Sequence, residues 1–265
     1  MKKRVLSILM AAMMVVALAG CGTSSSDSEA SDSKSESAES ESAEGAEGTE
    51  AAESAEVMTY AEYIAADVDT AVTIDGYVQA KQSWWDDTAT VYLQDEDGAY
   101  FLYGMTCSEE DYENLTVGTK IQVSGYKSEW SGEVEIIDAT FEFVDGDTYV
   151  AEALDVTDLL ASDDLIDHQN EFVSFTGMTV EDSGDGAAFL YSWDGSGSQG
   201  DDLYFNVSVD GVTYTFTVES YLCDSSTEVY QAVEALEVGD VIDMEGFLYS
   251  YEGVNPHITS VTVQE

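Results

Sequence analysis

Positive charge is almost missing from this chain. Its 265 residues hold seven Lys and Arg against 55 Asp and Glu, a formal net charge of −48. Three of the seven cations are Lys2, Lys3 and Arg4; beyond them stand four lysines and no arginine. Such a surface repels phosphate backbones, because nucleic-acid binding depends on cations that displace counterions. It also resists non-specific adhesion to anionic surfaces. Histidine is equally scarce, at two residues, His168 and His257. Neither belongs to an H-E-x-x-H pair, and neither a G-x-S-x-G elbow nor a G-x-x-x-x-G-K-[ST] loop occurs. No set of nucleophile, base and metal ligands is recognisable, so a non-catalytic protein is expected.

The N-terminus reads as a leader. Lys2 to Arg4 are basic, and Val5 to Ala17 is an apolar run of thirteen residues. That is short for a bilayer span and right for the hydrophobic part of a signal peptide. Leu18-Ala19-Gly20-Cys21 follows and resembles a bacterial lipobox. The resemblance implies cleavage before Cys21, lipidation of its sulfur and anchoring at the outer face of the cytoplasmic membrane. Two acyl chains anchor stably where one is marginal. The alternative is an ordinary secretory signal with an incidental cysteine. The next stretch, to Glu56, is Ser, Glu, Ala, Gly, Asp and Thr with a single lysine, Lys34. It has no aromatic or branched aliphatic residue with which to build a core, and it reads as a disordered, self-repelling tether. Such spacers are common in lipoproteins of Gram-positive bacteria, which the N-terminus resembles.

The rest is organised by a repeat. Leu115 to Phe143 and Leu236 to Val263 align at a constant offset of 121. Gly118 falls on Gly239, Gly125 on Gly246, Tyr126 on Phe247 and Trp130 on Tyr251. Each copy reads as two strands joined by a short glycine-bounded turn. Upstream of the first copy, Met58 to Ala66 has helical spacing, with Tyr60 and Ile64 on one side and Tyr63 a further candidate for it. Val72 to Gln79, Ala89 to Gln94 and Tyr100 to Met105 read as strands. Asp95 to Gly98 is a hairpin turn, and Ser108 caps a short helix. Before the second copy come Phe172 to Val180, Leu203 to Val209 and Val212 to Val218 as strands, and Ser225 to Leu236 as a helix.

Strand, strand, strand, helix, strand, strand resembles the OB-fold, a five-stranded Greek-key barrel. The expected fold is all-β with short helices, two tandem OB-fold-like barrels behind the tether. The segments are 1–20 signal peptide, 21–56 tether, 57–147 first barrel and 148–265 second barrel. One continuous antiparallel sandwich has the same strand count, but a helix in the same slot of both copies favours two barrels. Cys107 and Cys223 follow the third strand of each barrel. A disulfide is possible in an exported protein; two buried thiols in separate barrels fit better.

OB-folds hold ligands on the face of strands 2 and 3, flanked by the 1–2 and 4–5 loops. In the first barrel those loops carry Lys81, Trp84 and Trp85, and Tyr126, Lys127 and Trp130. If they share one side, they form an aromatic and lysine patch suited to a glycan or peptide. Tyr92, Tyr100 and Tyr103 offer a floor. The competing reading has the tryptophans holding down the open end of a barrel. The second barrel has Trp193, Tyr249 and Tyr251 without lysine, so binding is expected in the first. Asp182, Asp185, Asp194, Asp201 and Asp202 are weak calcium candidates, since no D-x-[DN]-x-[DN]-G loop is present; Asp95 and Asp97 suit the hairpin turn. No cofactor is expected. Two further functions remain open: single-stranded nucleic-acid binding, which the charge disfavours, and a structural role in the cell envelope. OB-like barrels also host extracellular nucleases that grip phosphate with arginine, a residue this chain lacks after Arg4.

Overall fold

Alternation in the sequence becomes two closed barrels. The computed structural model describes residues 56–264; the leader, Cys21 and nearly all of the tether lie outside them. The first barrel consists of β1 (Ala71–Lys81), β2 (Thr88–Gln94), β3 (Ala99–Thr106), α2 (Glu109–Asn114), β4 (Lys120–Trp130) and β5 (Glu133–Phe143). Its strands close in the order β1-β2-β3-β5-β4, with β3 and β5 parallel through Phe101–Glu135 and Leu102–Ile136. That order, with a helix between strands 3 and 4, is the OB-fold. Ile74, Val91, Leu93, Leu102, Ile121, Val123 and Ile136 fill it.

The helix α1 (Tyr60–Ala65) plugs one side. Thr59 opens it with a capping box: its hydroxyl accepts the Glu62 N–H, and the Glu62 carboxylate accepts the Thr59 N–H. Tyr63, rather than Ile64, faces inward and meets Tyr100 edge-on at 4.9 Å. Ser108 caps α2, accepting from Asp111 N, as its position predicts.

The second barrel repeats the plan with β7 (Phe172–Val180), β9 (Leu203–Val209), β10 (Val212–Val218), α3 (Glu228–Glu234), β11 (Val241–Phe247) and β12 (His257–Val263). Pairing of β7 with β9 closes the ring, and β10 runs parallel to β12 at Thr217–His257. Two short strands, β6 (Leu154–Asp155) and β8 (Leu190–Tyr191), extend its edges, and two 3-10 turns, Thr157–Leu159 and Asp163–His168, precede β7. The second 3-10 turn and β8 carry no periodic pattern that marks them in the sequence. Cys107 and Cys223 are free and buried, each in its own barrel core.

The two copies of the repeat differ where the sequence reads them alike. In the first, Ser131 (φ 53°) and Gly132 (φ 97°) make a two-residue hairpin turn. In the second, the strands part at Phe247 and resume at His257, leaving Leu248 to Pro256 as an open loop. The loop closes on itself through Tyr251 N–H to Gly253 O and Asn255 N–H to Tyr249 O, and the rest of its backbone is committed elsewhere. Leu248 N–H goes to Glu171 O, Leu248 O accepts from Asn170 N, and Ser250 N–H goes to the Glu133 carboxylate. Pro256 has no N–H to offer a ladder.

Candidate functional site

Barrel 1 does not present the centre of its strand 2–3 face to solvent; only its edge, at Tyr103, is exposed. Tyr92 on β2 and Phe101 on β3 point outward and are buried with Phe247 in a small core of their own. The Tyr92 ring stacks on Phe247 at 4.2 Å, and Phe101 meets Tyr249 edge-on at 5.4 Å. His257 lies flat against Tyr249 at 4.2 Å, with Nδ1 2.9 Å from the Tyr92 hydroxyl. Burial holds the His257 pKa down to about 3 and lifts that of Tyr92 well above the phenol range. The phenol therefore keeps its proton and the imidazole is neutral, and the two share one hydrogen bond whose direction follows the imidazole tautomer. Phe172 N–H donates to Gln94 Oε1 at the same junction. The face that carries ligands in this fold is, in barrel 1, an internal seam against barrel 2.

Polar groups complete the seam. Glu133 is fully buried; its Oε2 accepts from Ser250 N at 2.9 Å and Gln169 Nε2 at 3.1 Å, and its Oε1 has no partner. Burial lifts its pKa to about 8 despite those hydrogen bonds. Ser83 N–H reaches Tyr221 O, and Glu252 N–H reaches Ser131 O, at 2.7 and 2.8 Å.

The predicted aromatic and lysine patch is not gathered. The register sets β2 against β3 from Thr88–Thr106 to Gln94–Ala99, and Phe101 beside Glu135. The 1–2 loop thus sits at the Thr88 end of this face, while the 4–5 turn lies toward the Gln94 end. Both lysines are spent on helix ends. Lys127 is 6% exposed, and its Nζ donates to the carbonyls of Tyr63, Ile64 and Ala66 at 2.9–3.0 Å, closing the C-terminus of α1. Lys81 donates to the Tyr112 carbonyl of α2 and lies over that ring, 3.8 Å from its centre. Cations suit these orphan carbonyls at the negative end of a helix. The remaining lysine of the described residues, Lys120, pairs with Asp75 at 2.8 Å. Trp84 donates Nε1 to Cys107 O and serves the loop. Trp85 is 78% exposed, Tyr126 is half exposed, and Trp130 lies against Tyr251 of the other barrel. Of the proposed floor, Tyr100 is core and Tyr103 is exposed.

Barrel 2 keeps the corresponding face open, and there the surface is concave. A groove of about 680 Å³ lies on the outer side of β9 and β10. Tyr204 and Asn206 from β9 and Thr213, Tyr214 and Thr215 from β10 form its floor. Ser183, Leu190 and Trp193 of the 1–2 connection make one wall, and Tyr251, Val254 and Asn255 of the 4–5 loop make the other. The alternation LYFNVSV and VTYTFTV produces this floor: Leu203, Phe205, Val207, Phe216 and Val218 go to the core, so polar neighbours face out. Hydrogen bonds preset it. Thr215 Oγ1 donates to Asn206 Oδ1 at 2.7 Å, Asn206 Nδ2 donates to Asp182 O at 3.1 Å, and Thr217 Oγ1 donates to Asn255 Oδ1 at 2.7 Å. No acid, lysine or histidine lines the groove.

The five aspartates considered for calcium shape the wall instead. Asp182 Oδ1 accepts from the amides of Gly184 and Gly186, Asp194 Oδ1 from Ser196 and Asp201 Oδ2 from Ser198. Asp202 Oδ1 accepts from the Ser220 amide and hydroxyl, and Asp185 takes a turn position at φ 52°. No three metal-ligating side chains converge among the described residues. Asp95 likewise holds its turn, accepting from Asp97 and Gly98. His168 ends a 3-10 turn and meets Glu171 at 3.0 Å. Beyond the groove's end, Glu219 accepts from Tyr221 and Leu222, and burial with the nearby Asp202 charge lifts its pKa to about 7.

No family model matches the chain, and no curated protein matches it. Among solved structures, the hypothetical protein ygiW from E. coli is similar at 21% identity and a TM-score of 0.25, over 34% of this chain and 90% of that one. A murine DNA-binding protein bound to double-stranded DNA is similar at 11% identity and a TM-score of 0.36, over 73% and 96%. The Ifi202 HINa domain, in complex with a 20-base-pair duplex, shows 13% identity and a TM-score of 0.33, over 74% and 98%. The assignment of two OB-fold-like barrels rests on the strand order, the helix slot and the parallel β3–β5 and β10–β12 pairings described above.

Proposed function

We propose that this chain is a non-catalytic, lipid-anchored surface protein that binds an uncharged glycan in the groove of barrel 2. The groove's composition carries the reading. Tyr204, Tyr251 and Trp193 offer flat apolar surfaces with polar rims, the kind on which sugar faces stack. Asn206, Thr213, Thr215 and Asn255 supply amides and hydroxyls for the ring substituents. With no cation in the lining and a net charge of −48, phosphate, sulfate and carboxylate ligands are repelled. Nucleic acid is disfavoured on the same ground. Export and anchoring rest on the Leu18–Cys21 sequence, and the acidic tether would hold the barrels away from the membrane.

A soluble-glycan screen on the full chain tests the site. Trp193→Ala and Asn206→Ala should each weaken any binding found, whereas Trp84→Ala and Trp85→Ala should leave it unchanged. The opposite pattern would return the site to barrel 1. For the anchor, Cys21→Ser should move the protein from the membrane fraction to the medium.

A further inference from the structure

We infer that the binding surface does not stop at barrel 2: Trp130 of barrel 1 forms an outer subsite, so the ligand is an extended neutral oligosaccharide rather than a single sugar. The inference rests on the glycan reading of the groove and adds length to it. Trp130 closes the β4–β5 hairpin of barrel 1, and its ring lies 5.0 Å from that of Tyr251 at 36°. Tyr251 is itself a wall of the groove. A pair of rings packed to exclude water would be buried, yet Trp130 is 53% and Tyr251 44% exposed. Together they form an open aromatic ledge that carries the wall of the groove across the junction.

The ledge is held in place from both barrels. Glu252 N–H donates to Ser131 O, and Ser250 N–H donates to the buried Glu133 carboxylate, so the residues flanking Tyr251 are tied to those flanking Trp130. Beyond the rim the surface stays concave. A second cavity of about 440 Å³ adjoins the groove, shares Val254 with it and is bordered by Gly132 and Gly253 of the same two turns. A chain of sugars has room to continue there, and a monosaccharide would leave the ledge unused.

The test is calorimetry on the full chain with ladders of β-1,4-glucose, α-1,4-glucose and N-acetylglucosamine oligomers, from disaccharide to hexasaccharide. Affinity should rise with length in at least one ladder. Trp130→Ala should remove that rise, lowering hexasaccharide affinity roughly tenfold, about the worth of one aromatic contact, while leaving the disaccharide unchanged. Trp130→Phe should keep most of the rise. Tyr251→Ala should weaken both short and long ligands. Thermal melts of the Trp130 variants should match that of the parent chain, because the ring is half exposed. A disaccharide that binds with no gain on lengthening, or a gain that survives Trp130→Ala, overturns the subsite and leaves the groove reading standing. No binding in any ladder overturns the groove reading, and the subsite falls with it.

Discussion

The two barrels share one plan and use the same face in opposite ways. In barrel 1 the outer side of β2 and β3 carries Tyr92 and Phe101 and is sealed by barrel 2. In barrel 2 the outer side of β9 and β10 carries Tyr204, Asn206, Thr213 and Thr215 and is open. The fold thus supplies a position for a site, and the residues on that position decide whether it receives a ligand or a neighbouring barrel. Aromatic content alone does not separate the two cases, since both faces are rich in it. The threonine and asparagine interleaved with the aromatics in barrel 2 do.

The contrast can be broken at its strongest point first. Tyr92→Ala removes the central ring of the seam and the partner of His257; it should cost roughly 3–5 kcal/mol, as large core truncations do. Urea melts followed by barrel-specific probes should then show two transitions in place of one. An unchanged single transition would mean that the seam does not couple the barrels. Next, Trp193→Ala together with Asn206→Ala should lower glycan affinity by roughly 10- to 100-fold, about 1.4 kcal/mol for each tenfold step. The same pair of substitutions should leave the melting temperature nearly unchanged.

A smaller effect is expected at Lys127. Lys127→Met leaves three carbonyls at the end of α1 without their donor, and should cost about 1–3 kcal/mol. Trp85→Ala, at an exposed loop position predicted as ligand-binding, should stay within about 0.5 kcal/mol. Chemical denaturation of both variants ranks them; a larger loss at Trp85 would restore it to a structural role.

The seam also sets a pH profile. The Glu133 pKa is raised from 4.5 to about 8 by burial, so the native state holds a proton that the unfolded chain releases. Its contribution is fully present below pH 4.5 and is lost as pH rises toward 8. His257 is lowered from 6.5 to about 3, so its contribution is present above pH 6.5 and is lost as pH falls toward 3. Glu219, raised from 4.5 to about 7, adds a second contribution that is lost as pH rises from 4.5 toward 7. Between pH 4.5 and 6.5 the two glutamate slopes outweigh that of His257, so the melting temperature should peak near pH 4.5 and decline on either side. Glu133→Gln should level the profile between pH 4.5 and 6.5 and leave only the short Glu219 decline toward pH 7. A wild-type melting temperature that is level from pH 6.5 to 8 would refute the assignment to Glu133.

Much of the architecture is legible in the sequence, because alternation, Asp-Gly turns and the 121-residue offset are local signals. The occlusion of barrel 1 has a signal too. Val91-Tyr92-Leu93 and Tyr100-Phe101-Leu102 are apolar without alternation, the mark of strands covered on both faces. Leu203 to Val209 and Val212 to Val218 alternate cleanly, the mark of strands with one wet face. Reading those runs only for strand identity misses what they say about exposure. The lysines are a different matter. Lys127 meets carbonyls of Tyr63 to Ala66, more than sixty positions away, and no local pattern announces a backbone partner. The missing ladder after Phe247 was equally hidden, because Ser250 is drawn off by Glu133 from the other barrel.

The seam between the barrels also has a direction. A face of one module meets the loop end of the next, so the contact is heterologous, and nothing in its symmetry closes it. A module repeated on such terms could in principle add copies into a filament, each burying its face on the neighbour ahead. What stops the series is the pair of hydroxyls at Thr213 and Thr215, with Asn206 beside them, which a dry seam like that of Tyr92 and Phe101 would leave unsolvated. The same polar row that fits barrel 2 for a ligand makes it the terminal cap of the pair.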